Sequence, residues 1–585
     1  MQGFYDLSPR DYPEGLSKHF PYQSRPPLNI VQRLQRRQTD ICSPSQSYRL
    51  KRSFYQCIVP NYTESGLLTP SGYLRKFSPN GHFLIGFSWD QRSLVVYEFL
   101  GAGAGLKAYV DGMETTRLRR KLFGQFFRCR HSVHVPSDLN RECSLFTVDS
   151  QYVIVGSSTP LGDAPFPHMY EILRTNEGIA PTARSPVEDY ALYMIDLQIG
   201  VISDSIMYRF DKICLAHNQG LSLCGSTLAV LSVQHQTIHL YRVDHGTFSH
   251  IQDIGEFCYP DDSLIYSEVD FTCSDSEDED ADSLAQQPYH NRWFNSLKHR
   301  LICWILKKAQ KECTPTNKEP LLDYFKKFDQ FVSLRLWKMQ LLSENDLLLK
   351  YADEDIVSMK QTDPTSQPAI FAFYSIQTTE ILAVHDNTSE DLLRFYENYS
   401  DDFRSPVSHP LSRDVSSVAN NPYARALHQK FKQTITSAKF GGHKEATRRL
   451  LGQLPVSSQC LSSSPYLDLS LFSYDDKWVS AIERPKPCGD IPVKFFCRDG
   501  GYSSFQLDTA LRGNTQPLSR RLIAYIFHPS EPFIISIQKA SGRGMDYVVS
   551  FHFRNTIPTG EHVAPTSGLL KSTNPWLSFM LHRET

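Results

Sequence analysis

Short apolar runs separated by polar turns recur along this chain, and residues 75–99 show the pattern most clearly. The segment 77–81 reads FSPNG, in which the proline presets φ and the Asn-Gly pair tolerates a positive φ, so it predicts a turn. The runs 82–88 and 93–99 are rich in aromatic and β-branched residues, and the polar residues 90–92 lie between them. We therefore predict an antiparallel hairpin of the kind that builds the blades of a β-propeller.

The same order of aromatic residue, polar turn and apolar strand recurs further along the chain. The other copies are 146–157, 223–233, 341–351, 472–482 and 527–537. Because an isolated hairpin is marginally stable in water, each unit has to bury its faces against neighbours. A β-sandwich also places apolar strands after polar turns, but six copies in one order favour a ring. The predicted fold is mainly β: an interrupted WD-like β-propeller of seven or eight blades, with helical insertions and an N-terminal docking helix.

Two stretches replace this pattern with the three-to-four-residue spacing of amphipathic helices. Residues 294–310 carry Leu297, Leu301 and Trp304 at that spacing, and Pro320 begins a second short helix. In the other stretch, Thr388 or Ser389 can cap a helix whose apolar face includes 392–399. Since these helices interrupt a series of strands, we expect them to project from the ring and to contribute surface for partners.

The N-terminal region begins with the polar, proline-rich residues 1–27, which we predict to be disordered. A short amphipathic helix follows, with Asn29 as its N-cap and one apolar stripe. The stripe and the arginines that follow it are Leu28, Ile30, Val31, Arg33, Leu34 and Arg37. A helix this short is unstable alone, so it packs either on its own propeller or in a cleft of a partner. The residues by themselves leave these two alternatives equally open.

Composition and charge exclude several classes of protein. Lys and Arg number 61 against 63 Asp and Glu, a net charge of −2, so nothing global favours nucleic acid or an anionic membrane. The 13 cysteines include no C-x-x-C pair, which argues against a zinc ribbon and against a secreted disulfide framework. The N-terminus has no basic-then-apolar signal region, and no apolar run approaches the length of a membrane span. We therefore expect a soluble intracellular protein.

Candidate chemistry is sparse. Residues 101–105 read GAGAG, but the final glycine of the phosphate-binding pattern is missing and we predict no amphipathic helix after it, so a flexible loop is favoured. The basic cluster 117–121 is interpreted as a solvated strand end, with nuclear import or a phosphate contact as the alternative. His235 and His239 are predicted on one strand face, and His131 lies close to His134, but neither pair has a further ligand at metal spacing. No enzyme signature is present, so we expect no catalysis, no metal and no cofactor.

The predicted organisation divides the chain into nine parts. The first propeller blades span 47–270, and a later blade and the closing blades span 333–386 and 457–556. The helical insertions span 291–332 and 387–456, and the acidic run at 274–283 lies in a predicted disordered linker, 271–290. The remaining parts are the disordered segment 1–27, the docking helix 28–40 and a loose C-terminal tail, 557–585.

Several long motifs resemble the De-etiolated-one family. The most distinctive are FGGHKEATRRLLGQLPVSSQ at 440–459 and SPYLDLSLFSYDDKWVSAIERPKPCGD at 464–490. Others are LRKFSPNGHFLIGFSWDQ, LNRECSLFT, RSPVEDYALYMIDL, LSVQHQTIHLYRV, FNSLKHRL and LRLWKMQLL. The resemblance spans residues 28–554 in one order, and it ends at the N-terminal 27 residues, the acidic run and the tail after 556.

The resemblance implies a nuclear, non-catalytic subunit of a cullin-four RING ubiquitin ligase, present to a lesser extent in the cytoplasm. Such a subunit binds the large subunit of the damage-specific DNA-binding adaptor, a small adaptor-associated partner, the constitutively-photomorphogenic-one RING protein and a ubiquitin-conjugating enzyme. It promotes degradation of targets such as transcription factors. Receptors on that adaptor use a short helix before their propeller, which favours the docking interpretation of Leu28 to Arg37. The alternatives are a chromatin or histone-tail reader that uses a propeller channel, and an enzyme whose site no motif reveals.

Overall fold

The fold is described from a computed structural model of the full chain. The described residues are 60, 62–70, 72–105, 115–161, 177–179, 181, 186–255, 296–315, 317–357, 368–399, 441–452, 454–459, 494–496, 504–506, 521–539 and 547–554, with the isolated positions 31, 403, 429, 432–433 and 435–437. The segments 1–27, 271–290 and 557–585, for which we predict disorder or a loose tail, lie outside them, as does the hairpin copy at 472–482.

The strands in chain order are β1 (Tyr62–Leu67), β2 (Tyr73–Phe77), β3 (Phe83–Phe87), β4 (Ser93–Phe99), β5 (Phe127–His134), β6 (Leu139–Phe146), β7 (Tyr152–Pro160), β8 (Glu188–Asp196), β9 (Val201–Asp211), β10 (Leu221–Cys224), β11 (Thr227–Ser232), β12 (Thr237–Asp244), β13 (Thr247–Ile254), β14 (Leu334–Leu341), β15 (Asp346–Asp353), β16 (Ala369–Ser375), β17 (Ile381–Asp386), β18 (Lys494–Phe496), β19 (Ser504–Gln506), β20 (Arg521–Phe527), β21 (Phe533–Lys539) and β22 (Tyr547–Phe553). The helices are α1 (Thr115–Phe126), α2 (Ser296–Glu312), α3 (Glu319–Lys326), α4 (Phe328–Ser333), α5 (Glu354–Val357), α6 (Glu390–Asn398) and α7 (His443–Leu451).

The strands form antiparallel sheets of four. Sheet I is β2–β5, sheet II is β6–β9, sheet III is β10–β13 and sheet IV is β14–β17, each in chain order. Sheet V has the order β1-β22-β21-β20, so it joins the first described strand to the last three, and β18 pairs with β19 alone. The prediction of a mainly β fold is confirmed, whereas the propeller and its count of seven or eight blades stay predictions.

Four cores of the described residues each lie between two neighbouring sheets. On β3, Leu84 packs toward sheet V while its neighbour Ile85 packs toward sheet II. Further cores join sheet II to III and sheet III to IV. Because successive side chains of a strand point to opposite faces, a strand between two cores has to be apolar on both faces. This explains why all five residues of β3 are buried.

The turn before β3 has the chemistry that its sequence predicts. Ser78 Oγ donates to Asn80 Oδ1 at 2.7 Å, and the same oxygen accepts the His82 N–H at 3.0 Å. Gly81 has φ +79°, and a Cβ there would lie 2.5 Å from the ring of His528 in sheet V. Only glycine therefore fits this position, both for its backbone and for the approach of sheet V.

Sheet V is joined across its strands by His552. The two ring nitrogens of this buried residue lie 2.8 Å from Thr63 Oγ1 on β1 and 2.8 Å from Ser536 Oγ on β21. Burial lowers the pKa of His552 to about 3, so the ring is neutral at physiological pH. A neutral imidazole can donate from one nitrogen and accept at the other, which suits a bridge between two hydroxyls.

Helix α1 corrects two predictions. An amphipathic helix does follow the glycine-rich residues 101–105, because Leu118, Leu122 and Phe126 pack into the core between sheets V and I. The basic cluster 117–121 consequently lies on this helix rather than at a strand end. The apolar face of this helix was not recognised in the sequence because three of the five residues in 117–121 are basic and lie on the exposed side of the helix.

Helices α6 and α7 do not project from the sheets as predicted. The capping prediction is confirmed, since Ser389 Oγ accepts the Leu392 N–H at 3.3 Å. The apolar face of α6 packs with Leu450 of α7 against Phe373 and other residues of sheet IV. These helices are therefore part of a core that they share with sheet IV.

Helix α2 also contributes buried residues. Leu297 and Leu301 pack into the core between sheets III and IV, where the sequence spacing predicts an apolar face. None of the helices described above combines the length and the apolarity that crossing a bilayer requires.

Candidate functional site

The predicted docking helix lies almost wholly outside the described residues. Leu28, Ile30, Arg33, Leu34 and Arg37 are not among them. Val31 is described: it is helical and 58% exposed. The prediction that this helix docks into a partner therefore stays a prediction, with one exposed apolar side chain on the predicted stripe.

A second feature is the segment 454–459, here called the crossing segment, which runs over the first strands of four sheets. Val456 N–H donates to Gln340 Oε1 on β14 at 2.8 Å. Ser458 Oγ lies 3.0 Å from Ser222 Oγ on β10. Gln459 bonds both main-chain groups of Phe146 on β6, at 2.8 Å each. The segment thus connects sheets IV, III and II within six residues.

The crossing segment also reaches sheet I through a buried lysine. Lys76 Nζ on β2 donates to Gln459 O at 3.0 Å and to Ser144 O on β6 at 2.6 Å. Its ammonium lies 5.3 Å from the centroid of the Phe146 ring. A buried ammonium is costly unless its protons are satisfied, so these carbonyl groups hold Lys76 in place.

Asn218 is the centre of the polar groups under the crossing segment. Its Oδ1 accepts the Ser144 N–H at 2.8 Å, and its Nδ2 donates to Ser144 O at 3.1 Å and to Ser458 O at 2.9 Å. Ser222 Oγ in turn accepts the Leu341 N–H at 2.8 Å, which ties sheet III to sheet IV. Asn218 is fully buried and has φ +58°, a conformation that asparagine tolerates better than most residues.

This arrangement binds main chain and has no catalytic geometry. Its members are amides, hydroxyls and an ammonium, each bonded to backbone or to one another. Burial raises the pKa of the neighbouring Cys143 thiol to about 12, which keeps it protonated and poorly nucleophilic. The crossing segment occupies the main-chain and side-chain groups to which an extended peptide would bond, so the structure does not favour the alternative of a peptide reader at this place.

The sequence of this chain is similar to that of a known protein family. A family model described as De-etiolated protein 1 matches residues 141–555, which include the crossing segment and sheets III and IV. The chain belongs to the De-etiolated protein 1 family. Neither this family model nor the relatives below are named for a catalytic activity.

Two members of the De-etiolated protein 1 family are similar to nearly the whole chain. The Light-mediated development protein DET1 of Arabidopsis thaliana is 30% identical over 559 residues, which cover 90% of this chain and 99% of that protein. The protein of the same name from Solanum lycopersicum is 28% identical over 537 residues, with the same two coverages. Among solved structures, an acylaminoacyl peptidase from Pyrococcus horikoshii overlaps 33% of this chain and 26% of its own, with 8% identity and a TM-score of 0.20.

The part of the chain that matches the De-etiolated protein 1 family contains an unusual lysine. Lys350 on β15 is buried, and its ammonium lies 5.4 Å and 5.2 Å from the ring centroids of Trp337 and Phe371. Its Nζ is 3.4 Å from Leu454 O, and Lys338 is its cross-strand neighbour. Burial, assisted by the charge of Lys338, lowers the pKa of Lys350 to about 7. Within the described residues it pairs with no carboxylate, so we interpret it as a buried structural cation rather than a catalytic base.

The titration of Lys350 predicts a pH dependence of stability. Below pH 7 both the folded and the unfolded state hold the proton, so the cost of burying the charge is fully present. Between pH 7 and about 10.4 the unfolded state binds more protons, so the free energy of unfolding rises with pH. We expect it to rise by about 1 kcal/mol per pH unit more in the wild type than in Lys350→Met.

Urea denaturation of both proteins at pH 7.5, 8.5 and 9.5 measures this difference. Lys307→Met, at an exposed position of α2, is the control and is expected to follow the wild type. Parallel pH profiles for the wild type and Lys350→Met would contradict the interpretation.

One of the histidines that were considered as metal ligands does not lie where it was predicted. His235 lies in the turn between β11 and β12 and not on a strand face with His239, which corrects that prediction. His131 Nε2 donates to Gln198 O at 2.8 Å. Asp253 Oδ1 accepts from His239 Nδ1 at 2.7 Å and from His250 Nε2 at 2.8 Å.

The pairing of β12 with β13 explains why sequence analysis did not identify Asp253 as a partner of His239. His239 stands directly opposite Asp253 in the β12–β13 register, whereas the two are 14 positions apart in the chain. Burial acts to raise the pKa of Asp253, but the bonds from the two histidines outweigh it and the pKa lies below its usual value. In the described part of the chain no group of three or more metal-ligating side chains could hold an ion.

The glycine-rich residues 101–105 receive a carboxylate of their own chain. The Ala102 N–H donates to Glu531 Oε2, in the turn between β20 and β21, at 2.8 Å. The Ala102 N–H therefore does bind an anionic group, but this group is the carboxylate of Glu531, and the hydrogen bond connects the end of sheet I to a turn of sheet V. The prediction of a flexible loop at 101–105 stays a prediction.

Proposed function

We propose that this chain is a non-catalytic subunit of a cullin-four RING ubiquitin ligase. It links the large subunit of the damage-specific DNA-binding adaptor to the constitutively-photomorphogenic-one RING protein and to a ubiquitin-conjugating enzyme, and a small adaptor-associated protein joins the assembly. The observation that carries the proposal is membership of the De-etiolated protein 1 family over nearly the full length of two relatives. The targets are regulatory proteins such as transcription factors, which fits the light-mediated development in the names of both relatives.

The proposed scaffold is a β-propeller. Two features support it: sheets I, II and III each bury their faces against the preceding and the following sheet, and β1 pairs with β22 to bring the two ends of the strand series together. In a propeller the first strand of each blade lines a common central axis. The crossing segment forms hydrogen bonds with the first strands of sheets II, III and IV within six residues, as expected if these strands lie around one axis.

The proposed adaptor contact is the helix at 28–40. Its stripe of Ile30, Val31 and Leu34 would enter a cleft of the adaptor, and the 58% exposure of Val31, the described residue of this stripe, supports a contact with a partner. Fully burying such a side chain stabilises a complex by about 1.5–3 kcal/mol, less the cost of ordering a short helix. Arg33 and Arg37, at the rim, would tune the association rate and its salt dependence.

The proposed location is the nucleus, with a smaller cytoplasmic population. The basic cluster on α1 supports this, because Arg117, Arg120 and Lys121 are exposed and available to an import receptor. The near-neutral composition supports protein partners over direct binding of nucleic acid or membrane.

The test of the proposed function is Leu34→Asp. The substitution removes an apolar contact and places a charge in an apolar cleft, so we expect adaptor affinity to fall about a hundredfold, or ~3 kcal/mol. Co-purification of the full chain with the adaptor, and a thermal melt of each protein, give the result. Gln35→Asp, on the same helix but off the stripe, is the control and is expected to bind normally.

Two outcomes would count against this docking. Unchanged adaptor binding with a lowered melting temperature would mean that the helix packs on the chain's own sheets. A wild type that does not bind the adaptor at all would overturn the ligase proposal itself.

A further inference from the structure

We propose that Lys350 is a site of reversible modification by carbon dioxide, at which the side-chain amine forms a carbamate that is paired with the ammonium group of Lys338. The ligase proposal gives this lysine no role, and the inference does not depend on that proposal. It is carried by the place of Lys350 in the fold, where an amine lies inside an apolar core with a second lysine directly opposite it.

Lys350 lies on the face of sheet IV that packs against α6 and α7. Leu348, two positions earlier on β15 and therefore on the same face, packs in the core that these helices share with sheet IV. Lys350 itself is 6% exposed. The ring centroids of Trp337 and Phe371 lie 5.4 Å and 5.2 Å from its Nζ. A lysine ordinarily keeps its ammonium group in water, so this amine lies where its charge is unfavourable.

The hydrogen bonds of Lys350 do not compensate for this burial. An ammonium group has three N–H donors. In the described part of the chain one oxygen accepts from Lys350 Nζ, the main-chain oxygen of Leu454, and its distance of 3.4 Å exceeds the usual range of about 2.7–3.2 Å. Burial, assisted by the charge of Lys338, consequently lowers the pKa of Lys350 to about 7. About half of the molecules then hold a neutral amine at pH 7, compared with fewer than about one in a thousand for an exposed lysine.

A neutral amine is the form that reacts with carbon dioxide. The nitrogen lone pair forms a bond to the carbon of CO2, and one electron pair of a C=O bond moves to its oxygen. The nitrogen then loses one proton to water, so the amine and CO2 give a carbamate anion and one proton. The reaction changes no oxidation state and needs no further reactant. Because CO2 is small and uncharged, an apolar core that excludes ions admits it.

Lys338 supplies the charge that the carbamate needs. It stands directly opposite Lys350 in the β14–β15 register, and its ammonium lies 4.7 Å from the centroid of the same Trp337 ring. Two like charges in these positions are unfavourable, whereas a carbamate opposite an ammonium is an attractive pair. The carbamate keeps one N–H, which can still donate to Leu454 O. The modification therefore replaces a repulsive pair by an attractive one and can retain the contact to the crossing segment.

Carbon-13 NMR of the full chain tests the modification. Wild type, Lys350→Met and Lys307→Met are each incubated at pH 8 with 13C-labelled bicarbonate, which is in equilibrium with dissolved CO2. We expect wild type and Lys307→Met, the control at an exposed position of α2, to share a carbamate resonance that Lys350→Met lacks. Ethylation with a trialkyloxonium salt traps the carbamate, and mass spectrometry of the peptides is expected to place the trapped group on Lys350.

The partner of the carbamate is tested by Lys338→Met. This variant is expected to take up CO2 at Lys350 with an affinity about tenfold lower or less, because the opposite charge is lost and a larger fraction of Lys350 is protonated. The measurement is the intensity of the Lys350 carbamate resonance as the bicarbonate concentration is raised.

Stability gives a second measurement. In the unfolded chain Lys350 is an ordinary protonated lysine at pH 8, so the carbamate forms in the folded state. A ligand that binds the folded state alone raises the free energy of unfolding. Replacing chloride by bicarbonate at constant ionic strength is therefore expected to raise the urea midpoint of wild type and Lys307→Met, and to leave that of Lys350→Met unchanged.

Several outcomes would overturn the inference. A wild type without a carbamate resonance, or a resonance that persists in Lys350→Met, would reject this modification and leave the ligase proposal intact. A Lys350 carbamate that Lys338→Met leaves unchanged would reject Lys338 as its partner. Should Lys350→Met fail to fold, the trapped peptides of the wild type decide, since a carbamate trapped at the N-terminal amine or at other lysines alone contradicts the assignment.

Discussion

Replacing Asn218 by glycine is expected to lower the free energy of unfolding by about 3 kcal/mol, one of the two largest effects that the structure predicts. The side chain makes three bonds, to both main-chain groups of Ser144 and to Ser458 O. All of these groups are in the interior, where water cannot replace the lost partner. An unsatisfied buried donor or acceptor costs about 1–3 kcal/mol, so even partial relaxation leaves a large loss.

Substitutions of Asn218 by glycine and by alanine separate the contribution of its hydrogen bonds from that of its backbone conformation. Asn218 has φ +58°, which glycine adopts freely and alanine does not. Asn218→Ala is therefore expected to be about 1 kcal/mol less stable than Asn218→Gly. Urea denaturation of the three proteins measures both differences. A glycine variant within about 1 kcal/mol of the wild type would show that the polar groups under the crossing segment are satisfied in another way.

Replacing Phe395 by alanine is the second large effect, a loss of about 3–5 kcal/mol. Phe395 is buried between α6 and sheet IV, with its ring centroid 5.7 Å from Phe373 and 5.0 Å from Tyr399. Its removal leaves a cavity among aromatic residues that are packed from both sides. Arg394→Ala, at an exposed position of the same helix, is the matched control and is expected to change stability by less than about 0.5 kcal/mol.

The comparison of Phe395→Ala with Arg394→Ala decides whether α6 belongs to the core. A helix that only displays a binding surface would tolerate both substitutions equally. For the same reason, deletion of 387–456 is expected to expose the apolar face of sheet IV and to produce aggregated protein. A folded, soluble deletion variant would restore the interpretation of these helices as outlying insertions.

Local patterns in the sequence were sufficient for the hairpins. The reversals before β3, β7, β11, β15 and β21 all fall where polar turn residues interrupt apolar runs, and β4 has the bounds that the sequence predicts. Ser389 caps α6 as expected, and the apolar face of α6 consists of the residues expected. These features depend on turn chemistry and on side-chain period within about ten residues, and both are visible in a single sequence.

Features that join distant parts of the chain could not be derived in this way. The partners of Asn218 are 74 and 240 positions away, and Asp253 meets His239 only through the register of two strands. The crossing segment spans the predicted boundary between a helical insertion and the closing blades, and its own six residues do not indicate the strands that it contacts. The helix α1 was missed because its charged residues hide a face that sheet V buries.

By itself, the sequence determined the mainly β class, the positions of the hairpins, the caps of α6 and membership of the De-etiolated protein 1 family, because each depends on local chemistry or on long motifs. The tertiary structure alone decided which sheets share a core, where the crossing segment lies, and that α6 and α7 pack into a core with sheet IV. The physical reason is that burial is a property of pairs of surfaces. An amphipathic helix has the same sequence signature whether its apolar face meets its own sheet or a partner.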